Sequence, residues 1–474
     1  MSSLSAPTAV PARRRGAARR LAAATLVSGL VAAGALVGAG PATAEDAAVR
    51  GQGGAVATMD GLETYGTAVI HGEDGDQEVP AGLFEMSVEG GGTLQTYCVD
   101  LYNPTQREAK YRETSWSGTS LGANKDAGRI RWILQNSYPQ VNDLAALARR
   151  AGIGGGLTEQ DAAAGTQVAI WRWSDGADVA ALDPQAERLA DYLEKSARSL
   201  PEPRASLTLD PPAVSGQPGG LLGPVTVHTN AQGVTLTPPV DAMASGVRIV
   251  GKDGKDVTAA RDGSQIFFEV PADAAAGSAE LTVQASTTVP VGRAFAAESR
   301  SQTQILAGSS ESTVSATASA TWAETGAIPA LSSRENCAEN GVDITAANSG
   351  DQPFTFELMG VEHTIPAGAS RTVTVPLQED QAYDFTIEGP DGFAKRFSGV
   401  LDCHTQGDTT SDDRTQLMTE PSPATVGGST TDVNLAETGG TDITPLIGGT
   451  AIGLVVIGGA ALVLLRDRRP GTGD

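Results

Sequence analysis

Residues 165–173 read Gly-Thr-Gln-Val-Ala-Ile-Trp-Arg-Trp and lie in a segment with the pattern of a helix. Thr158 precedes Asp161 by three residues and an alanine-rich run follows, which is typical of a capping box that opens a helix, here at residues 159–173. Helical spacing places Gln167 on one face with Ala163, Ile170, Trp171 and Ser174. A buried amide needs hydrogen-bond partners, and this segment alone favours a core glutamine that is satisfied by nearby backbone.

A second informative stretch of sequence is Thr-Tyr-Cys-Val-Asp at residues 96–100. The pattern over residues 94–101 alternates, which predicts a half-buried strand with Cys98 on its inward face, beside Thr96 and Asp100. Most free cysteines are simply small buried hydrophobic residues. The chain has three cysteines, however, and an odd cysteine in an exported protein marks a thiol that needs its own explanation.

Together the two stretches resemble the thioester domain of surface adhesins from Gram-positive bacteria. That family carries a Tyr-Cys-apolar-Asp element and a Thr-Gln-x-Ala-apolar-Trp element, in this order and about as far apart as here. The matching residues are Tyr97, Cys98 and Asp100 for the first element, and Thr166, Gln167, Ala169 and Trp171 for the second. The resemblance covers about residues 50–200. It implies that the Cys98 thiol has displaced ammonia from the Gln167 carboxamide, so that the two side chains form an internal thioester.

Residues 1–44 predict a secretory signal peptide. Arginines at its start precede an apolar run at residues 21–38, and Ala-Thr-Ala at residues 42–44 follows as the expected cleavage site. We therefore expect the chain to be exported.

Residues 435–474 predict a cell-wall sorting signal. The pentapeptide Leu435, Ala436, Glu437, Thr438 and Gly439 precedes an apolar stretch at residues 443–465 and a basic tail. At 1.5 Å per residue the stretch is about 34 Å long, enough to cross a bilayer as a helix, and the basic tail favours a cytoplasmic end. This order resembles a sortase signal, in the variant preferred by class E sortases of actinobacteria, and implies cleavage after Thr438 and transfer to peptidoglycan. A plain single-pass membrane anchor is the alternative.

The region between the two ends predicts several modules. Residues 45–201 combine short strands with helices, so we expect an α+β thioester domain whose sheet carries Cys98 and whose helices carry Gln167. Residues 202–309 alternate short apolar runs with Gly, Pro and Asp turns, which is typical of an antiparallel β-sandwich. Residues 310–333 are rich in Ser, Thr and Ala and are interpreted as a linker, with a last strand followed by a linker as the alternative.

A small β-rich domain is expected at residues 334–404, followed by a polar tether. Cys337 and Cys403 lie near the two ends of this domain, and in an oxidising compartment we expect them to form a disulfide worth roughly 2 to 4 kcal/mol. Residues 405–434 have too little apolar content to bury a core and predict a disordered linker across the wall. The fold class is thus multidomain: an α+β thioester domain, all-β sandwich modules, a polar tether and one transmembrane helix.

Composition excludes some partners. The formal net charge of −23 repels nucleic acid and anionic membranes, so we expect no nucleic-acid partner and membrane contact only through the C-terminal span before sorting. We also expect no cofactor and no metal.

The leading functional hypothesis is a wall-anchored surface protein that binds an amine-bearing target covalently through the thioester. Such binding is a single-turnover event and not catalysis. One alternative is a secreted thiol enzyme with Cys98 as nucleophile, which would need a histidine base; the histidine in the same domain is His71, in a polar loop. The other alternative is a non-covalent wall protein in which Cys98 is unreacted.

Overall fold

The computed structural model describes residues 53–72, 75–240 and 242–404. The signal peptide, the tether at 405–434, the pentapeptide at 435–439 and the span at 443–465 are predictions that lie outside these residues. Within the described ranges, no helix is both long and apolar enough to cross a membrane.

The first part of the chain folds as a mixture of strands and helices, as its pattern predicted. Its strands are β1 (Val56–Gly72), β2 (Gly75–Val88), β3 (Thr93–Cys98), β4 (Lys110–Thr114) and β5 (Val179–Ala181). Its helices are α1 (Ala127–Asn136), α2 (Leu144–Arg150), α3 (Glu159–Ser174) and α4 (Pro184–Ser196), with short 3-10 turns at Trp116–Gly118 and Ser120–Gly122.

The middle of the chain is almost entirely β-structure. It comprises β6 (Leu207–Asp210), β7 (Ala213–Gly216), β8 (Leu221–Thr229), β9 (Val234–Thr237), the short α5 (Ala242–Ser245), β10 (Arg248–Gly251), β11 (Ala259–Ala260), β12 (Gln265–Glu269), β13 (Gly277–Thr288), β14 (Ala294–Ala297), β15 (Gln304–Ser309) and β16 (Glu311–Trp322). A sheet in the order β10-β12-β8-β6 packs on one in the order β11-β9-β13-β16-β7, which gives the predicted sandwich.

The last described part is a small β-rich module. It comprises β17 (Pro329–Asn336), β18 (Gly341–Asn348), β19 (Phe354–Leu358), β20 (Val361–Ile365), β21 (Ser370–Pro376), β22 (Ala382–Glu388), a 3-10 turn at Pro390–Gly392 and β23 (Ala394–Val400). Cys337 and Cys403 form a disulfide with their Cα atoms 5.1 Å apart. The module has its own hydrophobic core.

The sheet that carries Cys98 is built from two distant parts of the chain. Its order is β2-β3-β15-β14-β4-β1-β5, and an additional pairing of β1 with β2 closes six of these strands into an antiparallel ring. A closed ring leaves few unpaired strand edges. Strand β15 lies directly beside β3, so that Gln304 is opposite Cys98 and Ile305 is opposite Tyr97.

This pairing corrects the predicted boundaries at 45–201 and 202–309. Residues 294–309 were assigned to the sandwich, but β14 and β15 leave it and complete the sheet of the first domain. Strands β6 to β13 of the sandwich are therefore inserted between two parts of one sheet, and its last strand, β16, follows the second part. The position of residues 294–309 directly after the predicted sandwich strands placed them in the sandwich, but which sheet a strand joins depends on partners far away in sequence.

The structure also decides between the two interpretations of residues 310–333, a linker throughout or a last strand followed by a linker, in favour of the strand. Residues 311–322 form β16, which pairs along its whole length with β13 inside the sandwich. Ser, Thr and Ala made the segment resemble a linker, yet one residue in two faces the core. The buried side chains are Val314, Ala316, Ala318, Ala320 and Trp322.

Helix α3 lies at the centre of the first domain. Thr158 caps it by accepting a hydrogen bond from the Asp161 N–H, and the Asp161 carboxylate accepts one from the Thr158 N–H in return. Burial is not confined to one face, because every residue from 162 to 171 is buried. At Gly165 a Cβ atom would lie 2.4 Å from the carbonyl oxygen of Ala186 in α4, so the close packing of α3 on α4 requires glycine here.

A buried ion pair ties the two parts of the ring together. Glu113 on β4 is fully buried, and its carboxylate accepts hydrogen bonds from Arg293 Nε at 2.9 Å, from the Ser206 N–H at 2.9 Å and from the Ser206 hydroxyl. Arg293 also donates to Glu202 at 2.7 Å. Removing one partner of such a pair leaves an uncompensated buried charge.

We therefore predict that Arg293→Met lowers the free energy of unfolding by about 3 to 5 kcal/mol. The matched control is Arg248→Met, because Arg248 pairs with Asp256 and Glu269 at the exposed surface and such pairs are worth about 1 kcal/mol or less. Urea unfolding of residues 45–434, followed by tryptophan fluorescence, measures both. Equal losses in the two variants would contradict a joining role for the buried pair.

Candidate functional site

Cys98 and Gln167 meet at the contact between β3 and α3. Cys98 is the last residue of β3 and is 2% exposed, and Gln167 lies in the middle of α3 and is fully buried. The alternation of β3 turns Cys98 inward, and the capping box sets where the helix begins. The structure thus brings together the two residues that the motifs singled out.

The Gln167 amide pairs with the backbone of Cys98 at both ends. The Cys98 N–H donates to Gln167 Oε1 at 3.0 Å, and Gln167 Nε2 donates to the Cys98 carbonyl oxygen at 2.9 Å. The helix sequence alone favoured a core glutamine whose amide is hydrogen-bonded to nearby backbone. In the structure, that backbone belongs to Cys98. The amide carbon is consequently held beside the residue that carries the thiol.

Two side chains lie close to the Cys98 sulfur. Thr105 Oγ1 is 3.6 Å from Sγ, and Gln304 Nε2 is 3.5 Å from it. Gln304 is held on both sides, because its Nε2 also donates to Thr105 Oγ1 at 3.2 Å and its Oε1 accepts from the Thr96 hydroxyl at 2.9 Å. Both groups can donate a hydrogen bond to a thiolate, and a hydrogen bond to such a charged acceptor is stronger than one between neutral groups.

Burial raises the pKa of the Cys98 thiol to about 12. The hydrogen bonds from Thr105 and Gln304 oppose this rise in pKa, and the nearby carboxyls of Asp100 and Asp175 add to it. The free thiol is therefore protonated at neutral pH and is a poor nucleophile.

Two carboxyls flank the site, one buried and one half-buried. Asp100 is 1% exposed and accepts from the Ser120 hydroxyl at 2.9 Å and from the Thr303 N–H at 3.0 Å. Asp175, just after α3, accepts from the Leu101 N–H at 3.2 Å. Burial is the main cause that raises the pKa of both, to about 7 for Asp175 and well above the usual range for Asp100.

The other predicted residues around the site are all buried and serve to position it. Tyr97 points away from Cys98 in the strand, and its hydroxyl donates to the Tyr138 carbonyl at 2.9 Å. The Thr166 hydroxyl donates to the Ala162 carbonyl within α3 at 2.6 Å. Ala169 is fully buried in the same helix, and Trp171 is 4% exposed. The structure shows no hydrogen-bond partner for the Trp171 indole nitrogen within its described residues.

Sequence reasoning missed Thr105 and Gln304. Thr105 lies in the loop after β3, where no local pattern marks it. Gln304 begins a strand whose next residues form a buried apolar run, and a glutamine beside that run was the available signal. That signal becomes informative only with the register that sets Gln304 opposite Cys98.

His71 and an acidic cluster are the remaining groups with chemical potential. The His71 ring pairs with Asp76 at 2.8 Å on an exposed hairpin, and this exposed hydrogen bond raises the pKa of His71. In the described part of the chain, one group of carboxylates could hold a metal, formed by Glu379, Asp380 and Asp402. The three side chains are half-buried, and Glu379 already accepts hydrogen bonds from two backbone N–H groups.

Comparison with known families identifies the class of domain that this site belongs to. Residues 95–199 match the family described as thioester domain. The resemblance read from the two motifs is therefore confirmed: the chain carries a thioester domain. Residues 319–400, around the disulfide module, match the family described as bacterial phospholipase C, C-terminal domain. None of the curated proteins matches the chain.

Two solved structures are similar over part of the chain. The TIE protein of Bacillus anthracis is 15% identical, with a TM-score of 0.26, and the match covers 73% of this chain and 63% of that one. The thioester domain of the Enterococcus faecium TIE86 protein is also 15% identical, with a TM-score of 0.27, and the match covers 57% of this chain and 97% of that one. At such low TM-scores neither likeness supports an argument about function.

Proposed function

We propose that Cys98 and Gln167 form an internal thioester through which this protein binds an amine-bearing surface target covalently. In the first step the Cys98 sulfur attacks the amide carbon of Gln167, the sulfur–carbon bond forms, and the amide nitrogen leaves as ammonia with the thiol proton. In the second step a target amine attacks the same carbon. The carbon–sulfur bond breaks, an amide joins Gln167 to the target, and the proton lost by the amine returns the thiol to Cys98.

The observation that carries this proposal is the two-point pairing of the Gln167 amide with the Cys98 backbone. It holds the acyl group beside the residue that carries the thiol, inside a water-excluded contact between strand and helix, which favours an intramolecular reaction by proximity. Burial of both residues also shields a thioester from hydrolysis. The match of residues 95–199 to the thioester domain supports the same chemistry.

A thiol enzyme needs Cys98 as a nucleophile in every turnover, whereas the thioester needs it as a nucleophile once, when the cross-link forms, and thereafter as a leaving group. An enzyme nucleophile needs a thiolate, which a lowered pKa or an adjacent base provides. Burial raises the pKa of Cys98 instead, to about 12. Neither neighbour of the sulfur, Thr105 or Gln304, is a base. Both can donate a hydrogen bond to sulfur when it leaves as a thiolate, and a leaving group is the role that a thioester gives to Cys98.

We further propose that the protein is exported and linked to the cell wall by a sortase. The supporting features are the signal peptide at 1–44, the pentapeptide at 435–439 and the apolar span at 443–465. The polar segment at 405–434 would then act as the tether. An amine on a neighbouring surface, most simply that of a lysine, is the expected target.

The proposed cross-link predicts the intact mass of the purified protein. Residues 45–434, purified under oxidising conditions, should weigh less than their sequence by one ammonia, in addition to the hydrogens lost to the disulfide. Cys98→Ala should restore the missing mass because no thiol remains to displace the ammonia. Intact-mass spectrometry measures both. A wild-type chain at full mass with a titratable Cys98 would rule out the thioester.

The hydrogen bond from Gln304 to the leaving sulfur leads to a prediction about the rate of the reaction with an amine. Methylamine should add to Gln167 and release one thiol, and Gln304→Leu should slow this release roughly ten- to hundredfold, because it removes a hydrogen bond worth about 1.5 to 3 kcal/mol to a charged group. Thiol release is followed with a chromogenic disulfide reagent. Gln302→Leu is the control, because it alters another buried glutamine of the same segment that does not contact the sulfur. If the two variants react at the same rate, Gln304 does not assist departure of the sulfur.

The wall anchor makes a cellular prediction. Thr438→Ala should move the protein from the wall fraction to the membrane or the medium, because the variant lacks the threonine side chain by which a sortase would recognise the residue before the cleaved bond. Glu437→Gln is a milder change within the same pentapeptide and serves as its control. Unchanged wall attachment in Thr438→Ala would leave a plain membrane anchor as the better explanation.

A further inference from the structure

The disulfide module docks on the thioester domain close to the reactive pair. The Cys337 N–H donates to the Ser117 carbonyl at 3.0 Å, and Arg300 Nε donates to the Asp380 carbonyl at 3.1 Å. The contact nearest to the site is a hydrogen bond from the Thr303 hydroxyl to Asp402 Oδ2, at 3.0 Å. A module that served only as a spacer would not need to reach this segment.

Thr303 connects Asp402 to the chain around Cys98. Its N–H donates to Asp100 Oδ2 at 3.0 Å, and its carbonyl accepts from the Val99 N–H at 3.2 Å. The next residue is Gln304, which contacts the Cys98 sulfur. All three polar groups of Thr303 are therefore used, two toward the residues that follow Cys98 and one toward the module.

Asp402 is itself held firmly in place. It precedes Cys403, whose disulfide to Cys337 fixes this end of the module. The Cys403 N–H donates to Glu379 Oε1 at 2.8 Å, which fixes the backbone as well. Burial raises the pKa of Asp402 to about 7, and its charge in turn raises the pKa of Asp100. The two carboxyls thus interact with each other across Thr303.

We propose that Asp402 is a positioning residue for the thioester site, which makes the disulfide module a working part of the reactive domain. This inference rests on the proposed thioester. Asp402 holds the Thr303 hydroxyl, Thr303 keeps its backbone bonds to Val99 and Asp100, and Gln304 stays opposite the Cys98 sulfur. Asp402 does not contact the reacting atoms and acts only through Thr303.

The test compares variants of residues 45–434 in the methylamine reaction. Asp402→Ala should slow thiol release roughly tenfold, since small misplacements of reacting groups cost about this much or more. Asp402→Asn should restore the rate, because its amide oxygen can accept the same hydrogen bond from Thr303. Thr303→Val should match Asp402→Ala, and the double variant should be no slower than either single one.

The matched control is Asp343→Ala in the same module. Asp343 also accepts a hydrogen bond from a threonine hydroxyl, that of Thr374 at 2.7 Å, but it lies on β18 and has no such link to the site. Both alanine variants should lower the melting temperature slightly, whereas only Asp402→Ala should slow the reaction.

Each outcome decides one question. The positioning role is wrong if the Asp402→Ala variant forms the thioester and reacts at the wild-type rate. It is also wrong if the Asp402→Asn variant reacts as slowly as the Asp402→Ala variant. If the double variant is slower than both single ones, Asp402 does not act through Thr303. If the wild-type chain itself lacks the ammonia mass loss, the proposed function fails instead, and mass spectrometry of the wild type shows this before any rate is measured.

Discussion

The pairing of the Gln167 amide with the backbone of Cys98 is the interaction on which the rest of the structure depends. A buried amide left without partners would cost about 1 to 3 kcal/mol, so α3 can pack against β3 only in the position that satisfies both of its ends. That requirement fixes how far α3 can slide along its own axis relative to β3. Helix α3 is also buried all round and α4 approaches it closely at Gly165, so the helix is held from several sides.

The second constraint is closure of the sheet. Strand β3 would be an open edge without β15, and β15 comes from beyond the inserted sandwich. The insertion therefore is not an independent stalk, because both of its ends return to the domain that carries Cys98. The buried Glu113 and Arg293 pair reinforces the same junction. One consequence is chemical: the strand that closes the ring also delivers Gln304 to the sulfur.

The electrostatics of the site suit a stored acyl group better than a nucleophile. Burial works against charge on Cys98, Asp100 and Asp175, as their raised pKa values show. A thioester carries no charge and loses nothing by burial. Charge develops on sulfur only when an amine attacks, and at that moment Thr105 and Gln304 are already placed to stabilise it. Water-excluded sites make such preplaced donors more effective than they are in solvent.

The sequence by itself determined the elements that local chemistry controls. The capping box at Thr158, the Asp183 and Pro184 start of α4, and the alternation that turns Cys98 inward are all written within a few residues, and so the α+β first domain could be predicted from local pattern. The pairing of Cys98 with Gln167 came from the resemblance of the two motifs to a known family. Only the tertiary structure decided which sheet β15 joins, that residues 311–322 form a core strand, that Gln304 lies beside the thiol and that Asp402 contacts Thr303. The reason is physical: strand register and module docking depend on contacts between residues that lie far apart, 206 positions in the case of Gln304 and Cys98, and no local periodicity encodes them.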